Sequence, residues 1–292
     1  MSDSPLENLP HNSPLQAVKL SLDDTFQFRC HKDIACFNEC CKRIDILLTP
    51  YDILRLKKRL ALTANEFLAQ YTVPYEMDSH GMPGVKIRTA DDNPACPFLR
   101  EEGCSVYEDR PTVCRYYALG LMSMRKQDSA TDEDTYFLIK EEHCLGHNEP
   151  RTITIRDYRK EQGVELYDEM DQEWRQIVLK KRSSGPAAGK PSPRSFQFFF
   201  MASYNLDTLM GFVQSEGFSE VYDLTAEEFE QLKTDEVALL KFGFRLLKQV
   251  LFGEMTIGLK ADAMQKRVQR RREQIQVDPD NPNSGYDGPE II

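Results

Sequence analysis

Apolar and polar positions alternate at Phe26 and Phe28, and this period of two predicts a short strand running into Cys30. Residues 43–49, Arg-Ile-Asp-Ile-Leu-Leu-Thr, form a second β-like run. Thr49-Pro50 then supplies an N-cap followed by proline at the first helical position. Ile53, Leu54, Leu56 and Leu60, set among Arg55, Lys57, Lys58 and Arg59, predict an amphipathic helix over 51–60. Thr63-Ala-Asn-Glu66 fits a capping box and opens a second helix to about residue 71. Residues 74–83 read as loop, 85–89 as an alternating strand and 91–94 as a turn. Residues 96–104 read as a tight hairpin with a cysteine near each end, which brings two thiols together. Arg110-Pro111 starts a short helix carrying Cys114, Tyr116 and Tyr117. Residues 126–134 read as a polar loop, and 136–139 as a strand leading to His143-Cys144-Leu-Gly146-His147.

Thr154 with Asp157 caps what reads as one long helix over 155–181, with Tyr158, Val164, Tyr167, Trp174 and Ile177 among its apolar positions. The aromatic stretch 196–212 reads as a helix whose Phe198-Phe199-Phe200 suits core packing better than a docking surface. Thr225-Ala-Glu-Glu228 opens a long helix that ends near Gly253. The pattern thus predicts an α+β chain. It has a disordered lead-in at 1–24, a small cysteine-rich metal-binding domain of short strands and helices at 25–182, and a Ser/Gly/Pro linker at 183–194. A mainly helical C-terminal region follows at 195–260, then a basic segment and disordered tail at 261–292.

Composition narrows the class. A chain of 292 residues with 40% hydrophobic and 29% charged content can bury a sizeable core. A net charge of −10 argues against nucleic acid as a partner. The basic residues 266–272 then read as a solvated helix end. No apolar run reaches the length of a membrane span. The first residues carry neither the positive start nor the apolar stretch of a secretory signal, so a cytoplasmic location is expected.

In that compartment thiols stay reduced, and dense cysteines point to metal before disulfides. An exported chain could instead join its eight cysteines in four bridges. Cys30, Cys36, Cys40 and Cys41 lie within twelve residues; Cys96, Cys104 and Cys114 follow, and Cys144 stands thirty residues further on. Thiolate is the soft ligand selected by zinc and iron–sulfur clusters, and each closed site takes four protein donors. Eight cysteines therefore allow two sites, or one site plus structural thiols. Neighbouring side chains usually point apart, so Cys40 and Cys41 could face two sites, or one of them the core. His31, His143 and His147 flank cysteines and are further ligand candidates. Arg110 and Arg115 bracket Cys114, where their charge could offset thiolates or pair with Glu108 or Asp109.

These residues resemble a known family. Phe28-x-Cys30, Cys36, Cys40-Cys41, Ile46-x-Leu-Thr49-x-x-Asp52, Cys96-x-Phe-Leu99 and Gly103-Cys104-x-Val-Tyr107-Glu-x-Arg110-Pro111-x-x-Cys114-Arg115 together resemble the CxxCxxCC family over roughly residues 26–146. The resemblance implies a zinc- or iron-chelating domain. The family pattern has two residues between its first cysteines and two before the pair; here five separate Cys30 from Cys36 and three separate Cys36 from Cys40. His31 could make up for a displaced Cys30. The same domain occurs in flagellin lysine N-methylase, which implies an iron–sulfur-bearing enzyme that uses S-adenosylmethionine.

No dinucleotide, P-loop, zinc-protease or nucleophile-elbow motif is present, and the spacing of radical enzymes is missing. Whether the chain is an enzyme is open at this point. Three readings follow. The leading one is a metal-binding protein with an iron–sulfur cluster, of [4Fe–4S] type, or zinc. The second is a protein-modifying enzyme such as an S-adenosylmethionine-dependent lysine N-methylase. The third is a zinc-stabilised interaction module, with the helical C-terminal region recruiting a protein partner. The expected ligands are Cys30, Cys36, Cys40, Cys41, Cys96, Cys104, Cys114 and Cys144.

Overall fold

The computed structural model describes residues 14–265, apart from 17, 43, 79–80, 91–93, 126–131, 184–192 and 264. Two short strands, β1 (Thr25–Gln27) and β2 (Leu47–Leu48), flank a 3-10 turn over Glu39–Cys41. Helix α1 (Pro50–Arg59) opens on a full capping box. The Asp52 amide donates to Thr49 Oγ1 at 3.1 Å, and the Thr49 amide donates back to Asp52 Oδ2 at 2.9 Å. Helix α2 (Ala64–Tyr71) opens the same way on Thr63 and Glu66. Strands β3 (Thr72–Glu76), β4 (Pro83–Ile87), β5 (Leu99–Arg100) and β6 (Gly103–Cys104) follow, then helix α3 (Thr112–Tyr116) and strands β7 (Leu119–Arg125) and β8 (Asp132–Leu138). A 3-10 turn over Leu145–Asn148 precedes β9 (Thr152–Thr154). The remainder is helical: α4 (Ile155–Gln162), α5 (Val164–Ser183), α6 (Pro193–Tyr204), α7 (Leu206–Val213), α8 (Glu216–Val221), α9 (Ala226–Thr234) and α10 (Glu236–Phe252). Short scattered sheets with a helical C-terminal region make this an α+β chain, as the pattern predicts.

Several boundaries differ from the sequence reading. The single helix expected over 155–181 is broken at Gly163, whose φ of 63° lies in the left-handed region that glycine adopts without steric cost. The helix expected over 196–212 breaks at Asn205, whose side chain caps α7 by accepting from the Thr208 amide. The long helix after Thr225 breaks at Asp235, whose Oδ1 accepts from the amides of Val237 and Ala238 and so restarts it as α10. Part of the loop expected at 74–83 is strand β3, and β8 begins at Asp132, inside the loop expected at 126–134. Residues from 14 onward, assigned to the lead-in, run beside β8. The Gln16 amide donates to Leu138 O at 2.9 Å, and Leu20 and Tyr136 exchange backbone hydrogen bonds. The turn at 91–93, the linker at 184–192, and the basic segment and tail from 266 lie outside the described residues.

The chain divides into two compact units, Met1–Leu48 with Lys86–Met170, and Thr49–Val85 with Asp171–Ile292. In the first, β1 pairs antiparallel with β9, β5 with β6, and β7 with β8. Its core packs Phe26, Phe28, Tyr116, Leu119, Tyr136 and Tyr158. Phe26 and Tyr158 meet edge to face at 5.1 Å, an arrangement that aromatic quadrupoles favour. Ion pairing closes the same core from the side: Tyr116 Oη donates to Asp168, which also accepts from Arg159 at 2.6 Å.

In the second unit, α10 is the central helix, packed against α6, α7, α9 and α1. Its buried stripe of Leu240, Phe244 and Leu247 has helical spacing. Gly243 lets the α6 backbone approach, since a Cβ there would lie 2.4 Å from Ala202 O. Phe198 and Phe199 are buried, in keeping with a core role, and Phe200 stacks edgewise on Tyr204. The buried Lys57 amine is neutralised by Glu236 at the start of α10. Among the described residues no helix is long and apolar enough to cross a membrane.

Candidate metal centre

All eight cysteines belong to the first unit, and all eight are free thiols. Four local devices gather them. The 3-10 turn Glu39–Cys41 holds Cys40 and Cys41 side by side, with their sulfurs 3.9 Å apart. The hairpin β5–β6 aligns Leu99 with Cys104. Its entry turn starts at Cys96, whose carbonyl accepts from the Leu99 amide at 3.0 Å. Pairing of β1 with β9 returns the chain so that the Arg29 amide donates to Gly146 O at 3.0 Å, which sets Cys30 beside the Cys144 turn. Helix α3 carries Cys114.

Close approaches link these pieces. The Leu145 amide donates to Cys36 Sγ at 3.2 Å, tying the isolated Cys144 turn to the first cysteine run. The Cys96 amide donates to Cys41 O at 2.8 Å, tying the hairpin to the 3-10 turn. Asn38, with a φ of 71°, reaches across to the carbonyls of Arg100 and Glu101 at the hairpin tip. Among the described residues no three Cys, His, Asp or Glu side chains form a closed metal-ligand set. The thiols are neighbours, short of a finished coordination shell.

Electrostatics describe the same neighbourhood. Cys30 is exposed as a residue, yet desolvation of its thiol and the nearby Cys40, Cys36 and Cys144 push its pKa up to about 11. Cys41 is pushed up by its hydrogen bond with Cys40, then by burial and by Cys40, Cys114 and Cys96. The other half of that pair, Cys40, is pulled down, chiefly by accepting from Cys41. Burial raises Cys96, Cys104 and Cys144 as well. Crowded thiols that resist ionisation on their own are what a cation would turn into ligands, because bound metal deprotonates a coordinating thiol.

The backbone is already set for sulfur anions. The Leu145 amide donates to Cys36 Sγ, and nearby amides (Phe98 and Leu99 for Cys96, Val106 for Cys104, Gly146 for Cys144) partly offset the rise that burial causes in those thiols. Such hydrogen bonds stabilise thiolate and tune bound metal. A position at Gly146 admits no side chain, because a Cβ would lie 2.7 Å from the Phe28 ring and 3.1 Å from Arg29 O.

Of the two flanking arginines, Arg110 bears on a thiol as the sequence allows, and Arg115 does other work. Arg115 is buried and spends its guanidinium on carbonyls. Its nitrogens donate to Arg110 O at 3.0 Å, Gln162 O at 2.8 Å and Glu108 O at 2.6 Å, and one also meets Tyr167 Oη at 3.0 Å. It is a brace between the cysteine segment and α4. Arg110 stacks 3.9 Å over the Tyr107 ring, and its charge favours the Cys104 thiolate. Arg100, absent from the sequence reading, acts on Cys96 and Cys104 in the same sense. Of the flanking histidines, His31 Nε2 lies 3.2 Å from Glu149, and His143 Nε2 lies 3.6 Å from Glu141. His147 places its ring nitrogens 2.9 Å from Ile139 O and 3.3 Å from Gln27 O, and burial lowers its pKa.

Soft sulfur donors gathered under amide hydrogen bonds are the donor set of zinc and iron–sulfur proteins. Residues 29–145 match the model of the CxxCxxCC family, described as a putative zinc- or iron-chelating domain. The matched segment contains all eight cysteines. No curated protein matches the chain, and no solved structure matches it.

Proposed function

We propose that residues 29–145 hold a metal centre on cysteine thiolates, with an iron–sulfur cluster of the [4Fe–4S] type as the first candidate and structural zinc as the second. The observation that carries the reading is the gathering of thiols from separated chain segments: Cys40 and Cys41 with sulfurs 3.9 Å apart, the Cys96–Cys104 hairpin bonded to Cys41, and the Cys144 turn bonded to Cys36 through the Leu145 amide. A hydrogen bond to sulfur of that kind stabilises a thiolate or a metal-bound thiolate. The residues that would hold the metal are Cys36, Cys40, Cys41, Cys96, Cys104 and Cys114, joined by Cys30 and Cys144. A cluster would supply one-electron redox chemistry; zinc would be redox-silent and would couple folding to metal. The Arg100 and Arg110 charges would offset part of the negative charge that several thiolates bring.

The test is metal and acid-labile sulfide content, with a visible spectrum, of protein purified without oxygen. Iron with sulfide and a broad brown absorbance is the expected result. Zinc without sulfide replaces the cluster by a structural ion. Protein that carries neither metal, and takes up neither on reconstitution, refutes the reading.

A further inference from the structure

We propose that Cys40 and Cys41 are a reversible redox pair: a hydroperoxide joins their sulfurs in a disulfide, and that bridge takes two thiolates away from the metal centre. The loss of metal rests on the thiolate reading above; the bridge itself does not.

The chain places the two thiols for this. They are neighbours in sequence, both are free and half-buried, and their sulfurs stand in contact at 3.9 Å. The 3-10 turn that carries them is pinned by the Cys41 amide on Asn38 O at 3.0 Å and the Lys42 amide on Glu39 O at 3.1 Å. Neither sulfur has to be brought from elsewhere in the fold. Side-chain rotation therefore carries most of the closure to the S–S bond length of about 2.0 Å.

Adjacency also makes the bridge reversible. Cα atoms joined by a trans peptide lie about 3.8 Å apart, short of the range of about 4.4–6.8 Å that disulfides span. A bridge between neighbours is held away from its preferred geometry, and such bridges are the readily reduced, regulatory ones. A structural staple joins distant segments, where closing a long loop stabilises the fold; closing this small ring constrains almost nothing in the unfolded chain.

The chemistry balances with hydrogen peroxide as oxidant. One thiolate sulfur attacks a peroxide oxygen; the S–O bond forms, the O–O bond breaks, and the leaving hydroxide takes a proton to become water. The neighbouring thiolate then attacks that sulfur; the S–S bond forms, the S–O bond breaks, and the second hydroxide leaves as water. Two thiols give up two electrons and two protons, and one peroxide becomes two waters. A bridged sulfur is no longer a thiolate ligand, so the centre loses two donors together. Cys41 O also accepts from the Cys96 amide at 2.8 Å, which sets the hairpin bearing Cys96 and Cys104 against the turn that changes shape.

The experiment treats the metal-free full chain with one equivalent of hydrogen peroxide and alkylates the remaining thiols. It then maps the tryptic peptide 33–42, which holds Cys36, Cys40 and Cys41. The expected product has Cys36 alkylated, the other two linked and a mass lower by two hydrogens; dithiothreitol restores both thiols. Cys36→Ser should keep the link, and Cys40→Ser should abolish it. The same treatment of chain loaded with zinc alone should release zinc in step with the link. Oxidation that joins Cys36 to either neighbour, or that stops at sulfinic acid, overturns the redox pair. Zinc retained in full, with or without the link, overturns the release of metal. A chain that forms the link yet holds neither zinc nor, as purified, an iron–sulfur cluster overturns the thiolate reading and leaves the pair standing.

Discussion

Asp171 offers a sharp test of the second unit. It is fully buried, and its Oδ1 accepts from the Tyr51 amide at 3.1 Å, at the start of α1. Asp52, equally buried, occupies the same helix start. Burial first, and the Asp52 charge second, push the Asp171 pKa up to about 8, against smaller opposing contributions from Thr49, the Tyr51 amide and Arg175. In the unfolded chain the same carboxyl ionises near pH 3.9. The folded state therefore binds one more proton between about pH 4 and pH 8. This stability is fully present below the unfolded pKa, and it is lost as pH rises through the folded pKa. The slope is about 1.4 kcal/mol per pH unit, so the wild type loses on the order of 3 kcal/mol from this group between pH 5 and pH 7. Asp171→Asn keeps the oxygen that accepts from Tyr51 and cannot ionise. Its stability relative to wild type should therefore rise by about that amount over the same two units. The single tryptophan, Trp174, lies in α5 one turn away, so urea unfolding followed by its fluorescence reads this unit directly. A difference that stays flat with pH, or that falls as pH rises, refutes a protonated Asp171.

Three further outcomes follow from other contacts. Gly243→Ala should destabilise the second unit by about 1–3 kcal/mol, measured by the same fluorescence, because the new Cβ would meet Ala202 O at 2.4 Å and backbone cannot yield as a side chain would. Arg115→Lys should destabilise the first unit by about 2–4 kcal/mol, since one ammonium cannot reach the three carbonyls that the guanidinium fork serves; far-UV circular dichroism against urea tests this, and a neutral result would remove its role as a brace. If the proposed metal is bound, a chelator should speed amide exchange at Leu99 and Ser105, which close the cysteine hairpin, while leaving α10 amides protected; equal change in both would disprove a metal effect confined to the first unit.

Helix starts were legible because their chemistry is local. Thr49, Thr63, Thr154 and Thr225 each carry an acceptor for an amide three residues on, and all four cap helices. Helix breaks were not, because apolar spacing runs straight across Gly163, Asn205 and Asp235. The signal was present in those residues themselves, a left-handed glycine and two side-chain caps, but periodicity outweighed it. Strand β3 was hidden by Pro74, which a strand tolerates at the edge of a sheet; β3 lies at an end of its sheet order. Strand β7 has no clean alternation in the sequence, since Leu119, Leu121 and Met122 put apolar residues on both faces.

The site divides along the same line between local and long-range information. Cysteine spacing pointed to the candidate donors, and the hairpin between Cys96 and Cys104 followed from turn residues in one short segment. Which thiols lie together depends on β1 meeting β9 across more than a hundred residues, and no local pattern encodes that pairing. Cys144 is therefore the cysteine whose place the local sequence says least about: the Leu145 amide beside it donates to Cys36 Sγ at 3.2 Å, which brings its turn against the first cysteine run. If it is an ordinary half-buried thiol, its replacement by serine leaves metal content unchanged. If it is one of the donors, Cys144→Ser lowers the metal bound per chain, and retention of the full content removes it from the donor set.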